Sequence, residues 1–284
     1  MKDHRHEYTV ERMCRVFGLG RSGFYDWLNR KPSKRAVERE ALSAEIKDLY
    51  AGSKGRYGSP KITMDLRDRG FMASRPMVAR IMKSLGLRSI ISRKFKVCTT
   101  DSNHGFRISR NILDRNFTPK GPSKAWVSDI TYIRTEQGWL YLTVIMDLYD
   151  RKIIGWSMSS SLQASETVIP AWRMAVVNRG FSRGLVFHSD RGVQYACSEF
   201  RNWLDPEKTI QSMSRKGNCW DNSVAENFFK ILKSETSYKR YESVSQAKQE
   251  VFEFIEIWYN RIRRHSKLGY LSPDEFGKAN QKKN

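Results

Sequence analysis

The chain has 284 residues and a formal charge of +21, from 51 Lys and Arg against 30 Asp and Glu. It has no run of eighteen apolar residues and no signal segment, which excludes a membrane-spanning helix and reads as soluble and intracellular. Cys14, Cys98, Cys197 and Cys219 are scattered without a C-x-x-C pair, which excludes a disulfide frame and a zinc cluster. The charge points to a polyanion. More than half of the excess lies in one quarter of the chain, since residues 51–120 hold 16 basic and 4 acidic side chains. That segment is patterned, not low in complexity, and reads as a folded DNA-binding unit.

In chain order, residues 1–40 form an N-terminal helical segment. Thr9 caps a helix to Phe17, Gly18-Leu19-Gly20 breaks it, and Ser22 caps a second through Phe24, Tyr25, Trp27 and Leu28. The spacing suits a helix-turn-helix and equally a plain helical hairpin. Pro32 and a charge run make 31–40 a linker into the next helix.

Residues 41–100 read as a basic helix-turn-helix domain. A helix over 36–50 carries Leu42, Ile46 and Leu49 on one side, and Ile62 and Leu66 lie one turn apart before Gly70. Ser74 caps a helix with Pro76 in its first turn and Val78, Ile81, Met82 and Leu85 on its apolar side. Arg75, Arg80 and Lys83 stay on the outer face as DNA contacts; the alternative is a basic hairpin that reads no bases. The stretch 88–124, with a linker proper at 101–122, carries Arg88, Arg93, Lys94, Lys96, Arg107 and Arg110 and is expected to lie along a DNA backbone.

Residues 123–240 change texture. Strands are expected over Trp126–Ile133, Trp139–Leu148 and Lys152–Met158, then a helix over 164–178 in which Pro170 is out of place. Leu185-Val186-Phe187 is a strand that runs into His188-Ser189-Asp190; a helix near 198–204 and a strand Thr209–Met213 follow. A turn-rich loop with Gly217, Asn218, Asp221 and Asn222 leads to a helix capped by Asn222 or Ser223. On that helix Glu226, Lys230 and Lys233 share one face. The arrangement is either ordinary surface pairing or a carboxylate beside two cations, suited to a metal and then a phosphate.

Asp129 near the middle of one strand, Asp190 at the end of another and Glu226 after 35 intervening residues can converge. Such hard oxygen donors suit two Mg²⁺ ions, which activate an attacking oxygen and stabilise a leaving one. Asp147 and Asp150 are rival carboxylates, read as strand-end and turn residues. The tail, 241–284, holds an amphipathic helix from Ser243 to Asn260 and then Arg261, Arg263, Arg264, His265 and Lys267. Five cations in seven positions favour phosphate contact over a solvated helix end, with Arg263 and Arg264 foremost.

Several words of the sequence carry a resemblance. W-V-S-D-I-T-Y-I, H-S-D-R-G-V-Q-Y, S-M-S-R-K-G-N-C-W-D-N-S-V-A-E and Y-N-R-I-R-R-H-S-K-L-G-Y-L-S-P-D-E-F resemble the second-frame (orfB) transposases of the insertion-sequence-three family of bacterial mobile elements. Asp129, Asp190 and Glu226, with Lys233 seven residues on, resemble the D-D-E signature of the retroviral-integrase superfamily. The likeness covers roughly residues 43–276. It implies an α/β fold: a ribonuclease-H-like integrase core, with a mixed five-stranded sheet and flanking helices, preceded by an all-α helix-turn-helix region. It implies a transposase that binds element ends and performs Mg²⁺-dependent DNA strand cleavage and strand transfer, that is, recombination and integration by polynucleotidyl transferase and endonuclease chemistry.

Under that resemblance Asp129, Asp190 and Glu226 are both the catalytic acids and the ligands of two Mg²⁺ ions, with Mn²⁺ as a substitute, and Lys233 and Lys230 touch a phosphate. The implied partners are double-stranded DNA at element ends and target, further copies of the chain on DNA, and the first-frame product by fusion or association, with no membrane. The implied place is the bacterial cytoplasm, on the nucleoid when bound. The start at Met1 and the lack of a heptad run read as the second frame alone. Two rivals stay open. One is a helix-turn-helix regulator with an inactive core, against which the intact acids speak; the other is a ribonuclease-H-like nuclease that cuts without joining.

Overall fold

The computed structural model of the protein describes residues 1–90, 105–236 and 241–281. It contains two compact units, Met1–Arg88 and Ser89–Asn284.

The first unit is helical. In α1 (Val10–Phe17) Thr9 Oγ1 accepts from Arg12 N, and the helix stops at Gly18, whose φ of +63° closes the last turn. The second helix, α2 (Arg21–Asn29), begins at Gly20 without a side-chain cap, so Ser22 lies inside its first turn instead of capping it. Ser33 Oγ accepts from Ala36 N and starts α3 (Lys34–Gly52) earlier than expected. The boundary expected at 40/41 therefore falls within one continuous helix. Helices α4 (Ser59–Asp68) and α5 (Arg75–Ser84) pack with α3 around Leu42, Ile46, Ile62, Leu66, Val78 and Ile81, all buried. Arg69 reaches Glu45 and Asp48 of α3 at 2.6 and 2.9 Å. Arg75, Arg80 and Lys83 are exposed on α5, the face expected for them.

The second unit is built on a sheet of β1 (Ala125–Thr135), β2 (Gly138–Asp147), β3 (Ile153–Ser159), β4 (Leu185–Ser189) and β5 (Thr209–Met213). The spatial order is β3-β2-β1-β4-β5, with β1, β2 and β3 antiparallel and β4 and β5 parallel to β1. All five strands stand where alternation and apolar runs place them.

One sheet face is covered by α6 (Val168–Arg179), α7 (Val193–Ala196) and α8 (Ser198–Arg201). The core here joins Trp126, Ile145, Phe187 and Met213 to Val168, Trp172, Tyr195 and Phe200. Trp172 meets Trp126 and Phe187 edge-on, at 5.6 and 5.1 Å between ring centres. Because α6 starts at Val168, Pro170 sits in its first turn, where a missing N–H costs no helical bond; its apparent misfit disappears.

By alternation, Val127, Ile133, Leu140, Leu142 and Val144 face the other way, and all are buried. That side is covered by α9 (Ser223–Glu235) and α10 (Val244–Phe252), which both pack on β1. The helix expected over Ser243–Asn260 is α-helical only to Phe252 and widens into π-helical turns over Glu253–Ile262. At their end Asn260 acts as a strand partner: Ile153 N donates to its Oδ1 and its Nδ2 donates to Ile153 O, each at 2.9 Å. A last helix, α11 (Pro273–Gln281), carries no expectation from the sequence.

The stretch expected to lie along DNA as a linker is partly built into this unit. Ile112 N and Leu113 N donate to Ser212 Oγ at 2.8 and 3.1 Å, Ser109 Oγ donates to Gln211, and Leu113 is buried. Its residues Arg93, Lys94 and Lys96 lie outside the described residues.

Helix α6 lies against β3 at Gly155, where a Cβ would collide with Ala171 O and stand 2.8 Å from both N and Cβ of Ala175. Two of these three atoms are backbone and cannot swing aside. Gly155→Ala should therefore cost about 1–3 kcal/mol, read as a lower urea midpoint of the full chain. An unchanged midpoint would mean that α6 does not press on β3.

Candidate active site

The ladder between β1 and β4 ends at the pair Val127–His188. Asp129 and Asp190 each lie two residues beyond that pair. Neighbouring strands run about 4.8 Å apart, so the two acids leave the same part of the sheet at the same level. Both strands spell the same word: a buried aromatic (Trp126, Phe187), one residue, a buried serine (Ser128, Ser189), then the acid. Ser128 Oγ donates to Val144 O and shares a hydrogen bond with Tyr195 OH, each at 2.8 Å. Asp129 Oδ1 accepts from Ile130 N and Asp190 Oδ1 from Gly192 N, both at 2.9 Å.

The third acid arrives on α9. Contrary to expectation, Asn222 does not cap that helix with its side chain; its Nδ2 donates to Ser128 O at 3.1 Å and fastens the start of α9 beside Asp129. Glu226 then stands exposed in the first turn, and Lys230 is exposed one turn later. Lys233 is half-buried.

These groups share one electrostatic field. The half-buried Asp129 carboxyl is pushed well above the usual range, first by desolvation and next by the Asp190 charge; Glu226 adds to the rise and Lys233 opposes it. Although its side chain reaches solvent, Glu226 is raised by partial desolvation of its carboxyl and then by Asp190. Desolvation lowers the Lys233 ammonium, while Asp129 holds it up. Among the described residues, no three acidic, histidine or cysteine side chains are already drawn into a metal-ligand cluster. The donor chemistry nonetheless fits a divalent cation: these are hard carboxylate oxygens whose mutual repulsion a cation would relieve.

The loop before α9 is clamped by features that the sequence reading missed. Asp221 is fully buried and accepts from Arg215 N, Nε and an Nη at 3.0, 2.9 and 2.8 Å, and from Arg115 Nε at 2.9 Å. The Arg215 guanidinium foremost holds its carboxyl far below the usual range. On β4, His188 bridges Ser212 Oγ (2.9 Å) and Ser214 Oγ (3.2 Å); burial lowers its pKa to about 4 and keeps it neutral.

The C-terminal cations need correction. Arg263 is buried, and its guanidinium forks onto Glu235 of α9 at 2.8–3.0 Å, with Trp258 Nε1 donating to the same carboxylate at 2.9 Å. It is spent inside the fold and is no exposed phosphate contact. Arg264 is half-buried and donates to Tyr270 O. Asp147 and Asp150 are structural, as read: both are buried and reach Arg179, at 3.5 and 2.6 Å.

Comparison with known proteins follows the same division. A family model described as "Integrase core domain" matches residues 119–219, a second with that description matches 226–280, and "HTH-like domain" matches 37–95. "Transposase InsF for insertion sequence IS3A" of Escherichia coli (strain K12) is 38% identical over 283 residues, covering 99% of this chain and 98% of that protein. "Insertion element IS600 uncharacterized 31 kDa protein" of Shigella sonnei is 40% identical over 265 residues, covering 93% and 97%. Among solved structures, the simian T-cell lymphotropic virus intasome in complex with PP2A regulatory subunit B56 gamma has a TM-score of 0.46 at 15% identity, covering 82% of this chain and 74% of that one. The HTLV-2 integrase catalytic core domain in complex with magnesium (dimeric form) has a TM-score of 0.38 at 15% identity, covering 55% and 95%. The chain belongs to the insertion-sequence-three (IS3) family of transposases, with a ribonuclease-H-like integrase core and a helix-turn-helix-like domain. No helix among the described residues is long and apolar enough to cross a membrane.

The Asp221 clamp makes a prediction with a definite sign. A carboxylate whose folded pKa is depressed stabilises the fold above its unfolded pKa, near 4, and loses that contribution as pH falls toward the folded value. Arg115 and Arg215 are about half exposed, at 45% and 49%. Solvent screening therefore keeps the cost of Asp221→Asn at pH 7 to about 2 kcal/mol. Urea titrations should show that deficit at neutral pH and see it shrink below about pH 4. A deficit that is the same at both pH values would contradict the charged clamp.

Proposed function

We propose that this chain is the catalytic polypeptide of an insertion element, in which the helical unit holds DNA and the core cuts and joins phosphodiesters at the element's ends. The observation that carries the reading is the end of the β1–β4 ladder at Val127–His188, two residues short of both Asp129 and Asp190, with the start of α9, which bears Glu226 and Lys233, bonded to Ser128 beside them. The three acids are the groups that would hold two Mg²⁺ ions, with Mn²⁺ as a substitute. When bound, such ions supply activation of an attacking oxygen and neutralisation of a leaving one. Asp129 is held within β1 and Asp190 one residue past the end of β4, and the Asn222–Ser128 bond fastens the start of the helix that carries Glu226.

Lys233 lies about 10.5 Å along the helix from Glu226, too far to pair with it. Half-buried and facing the Asp129 charge, it is suited to a phosphate oxygen at the scissile bond, with exposed Lys230 contacting the same strand one turn earlier. Water is the first nucleophile and the freed 3′-hydroxyl the second. Arg75, Arg80 and Lys83 on the open face of α5 grip double-stranded DNA of the element ends. Two ends need two sites, so the working species is a set of copies on DNA in the bacterial cytoplasm, fused to or joined by the first-frame product.

Purified full chain, incubated with the element's end DNA and Mg²⁺, should release a nicked strand and then a joined product. Asp129→Asn, Asp190→Asn or Glu226→Gln should each lower the cleavage rate at least about 100-fold while DNA affinity stays at the wild-type value. Cleavage by any of the three at the wild-type rate would refute the assignment of that acid.

Binding has its own test. Changing Arg75, Arg80 and Lys83 together to Glu should weaken binding to the end duplex. It should also flatten the slope of log affinity against log salt by about 3, near 0.9 per lost phosphate contact. An unchanged slope would move the footprint off α5.

A further inference from the structure

The loop entering α9 presents a tryptophan to solvent. Trp220 is 66% exposed, yet Asp221 and Asn222, which follow it, are both buried. Asp221 is pinned by Arg115 and Arg215, and Asn222 by Ser128 O. Trp220 N itself donates to Asn218 Oδ1 at 3.2 Å, and the same oxygen accepts from Arg115 at 3.1 Å. The backbone is thus fixed on both sides of an uncovered indole, six residues before Glu226. Tryptophan is highly buried on average, and Trp220 is the most exposed tryptophan among the described residues, held open by a loop that is itself fixed. Lys216 is exposed in the same loop, next to Gly217, whose φ of +69° turns the chain. Arg215 is not free to help, because Asp221 and Asp114 take its guanidinium.

We propose that Trp220 stacks on an unpaired nucleobase of the DNA strand being processed, with Lys216 on a neighbouring phosphate. The proposal rests on the function proposed above and adds a binding element to it. Every base has a π face, so one indole can take any base without reading sequence, and such a stack is worth about 5- to 150-fold in affinity. A base inside a duplex is already stacked on both sides and must leave the helix to be held this way. Trp220 therefore selects a frayed or single-stranded end and holds it beside the acids.

The test uses the full chain and two DNA probes with the same duplex sequence. One is blunt; the other ends in a short single strand carrying 2-aminopurine, whose fluorescence falls when it stacks. Wild type should bind the overhang probe about tenfold more tightly than the blunt one and quench the 2-aminopurine. Trp220→Ala should lose the preference and the quenching while binding the blunt probe like wild type, with an unchanged melting temperature, since the ring is exposed. Trp220→Phe should keep part of both effects. Lys216→Ala should reduce the salt slope on the overhang probe by about one contact. A Trp220→Ala protein that keeps the preference and the quench, or a wild type that shows neither, overturns the proposal. A wild type that cleaves end DNA without preferring the overhang sinks only this inference; a wild type that stacks the base yet never cleaves sinks only the catalytic reading.

Discussion

The register of β1 is the constraint on which the rest of the core depends. This strand is paired on both edges: along its length to β2, and through Ala125, Trp126 and Val127 to β4. The parallel ladder stops at Val127–His188 and so releases Asp129 and Asp190 side by side. A slip of one residue would turn Asp129 into the α6 face and bring Trp126 out of it. The aromatic packing of Trp126, Trp172 and Phe187 is what forbids that slip. A hydrophobic contact thereby fixes the place of a charged group that the core would otherwise reject.

The helix bearing the third acid is held at three heights. At its start Asn222 is bonded to β1; in its middle Phe228 meets Tyr259 edge-on at 4.8 Å; at its end Glu235 is buried with Arg263 and Trp258. Removing one member of such a buried ion pair usually costs about 3–5 kcal/mol, because the other charge is stranded. The C-terminal segment is therefore part of the frame that sets Glu226 and Lys233 against the strands.

Much of this was legible in the sequence for reasons that remain local. The strands show as alternating or continuous apolar runs, and Asp129, Asp190 and Glu226 sit in short words with fixed context. What stayed hidden depends on partners far along the chain. Arg263 reads as one of five clustered cations, and only the fold brings it to Glu235, 28 residues away. Asp221 reads as a turn former, and its second arginine is 106 residues distant. Asn222 reads as a cap because local rules see only its own helix, while its amide is used by β1. Pro170 looked misplaced because the apolar pattern put the helix start four residues too early. For Arg263, Asp221 and Asn222 a long-range contact overrode a local preference; for Pro170 the helix starts later than its apolar pattern indicated.

That Asp129, Asp190 and Glu226 serve one cation site can be measured without any catalysis. Manganese titration of the DNA-free protein, followed by electron paramagnetic resonance of the free ion, should show binding by wild type. Single changes to Asn or Gln at each acid should weaken binding at that same site by about tenfold or more, the size of losing one charged ligand. Three variants that each bind manganese as wild type does would show that the acids do not act together.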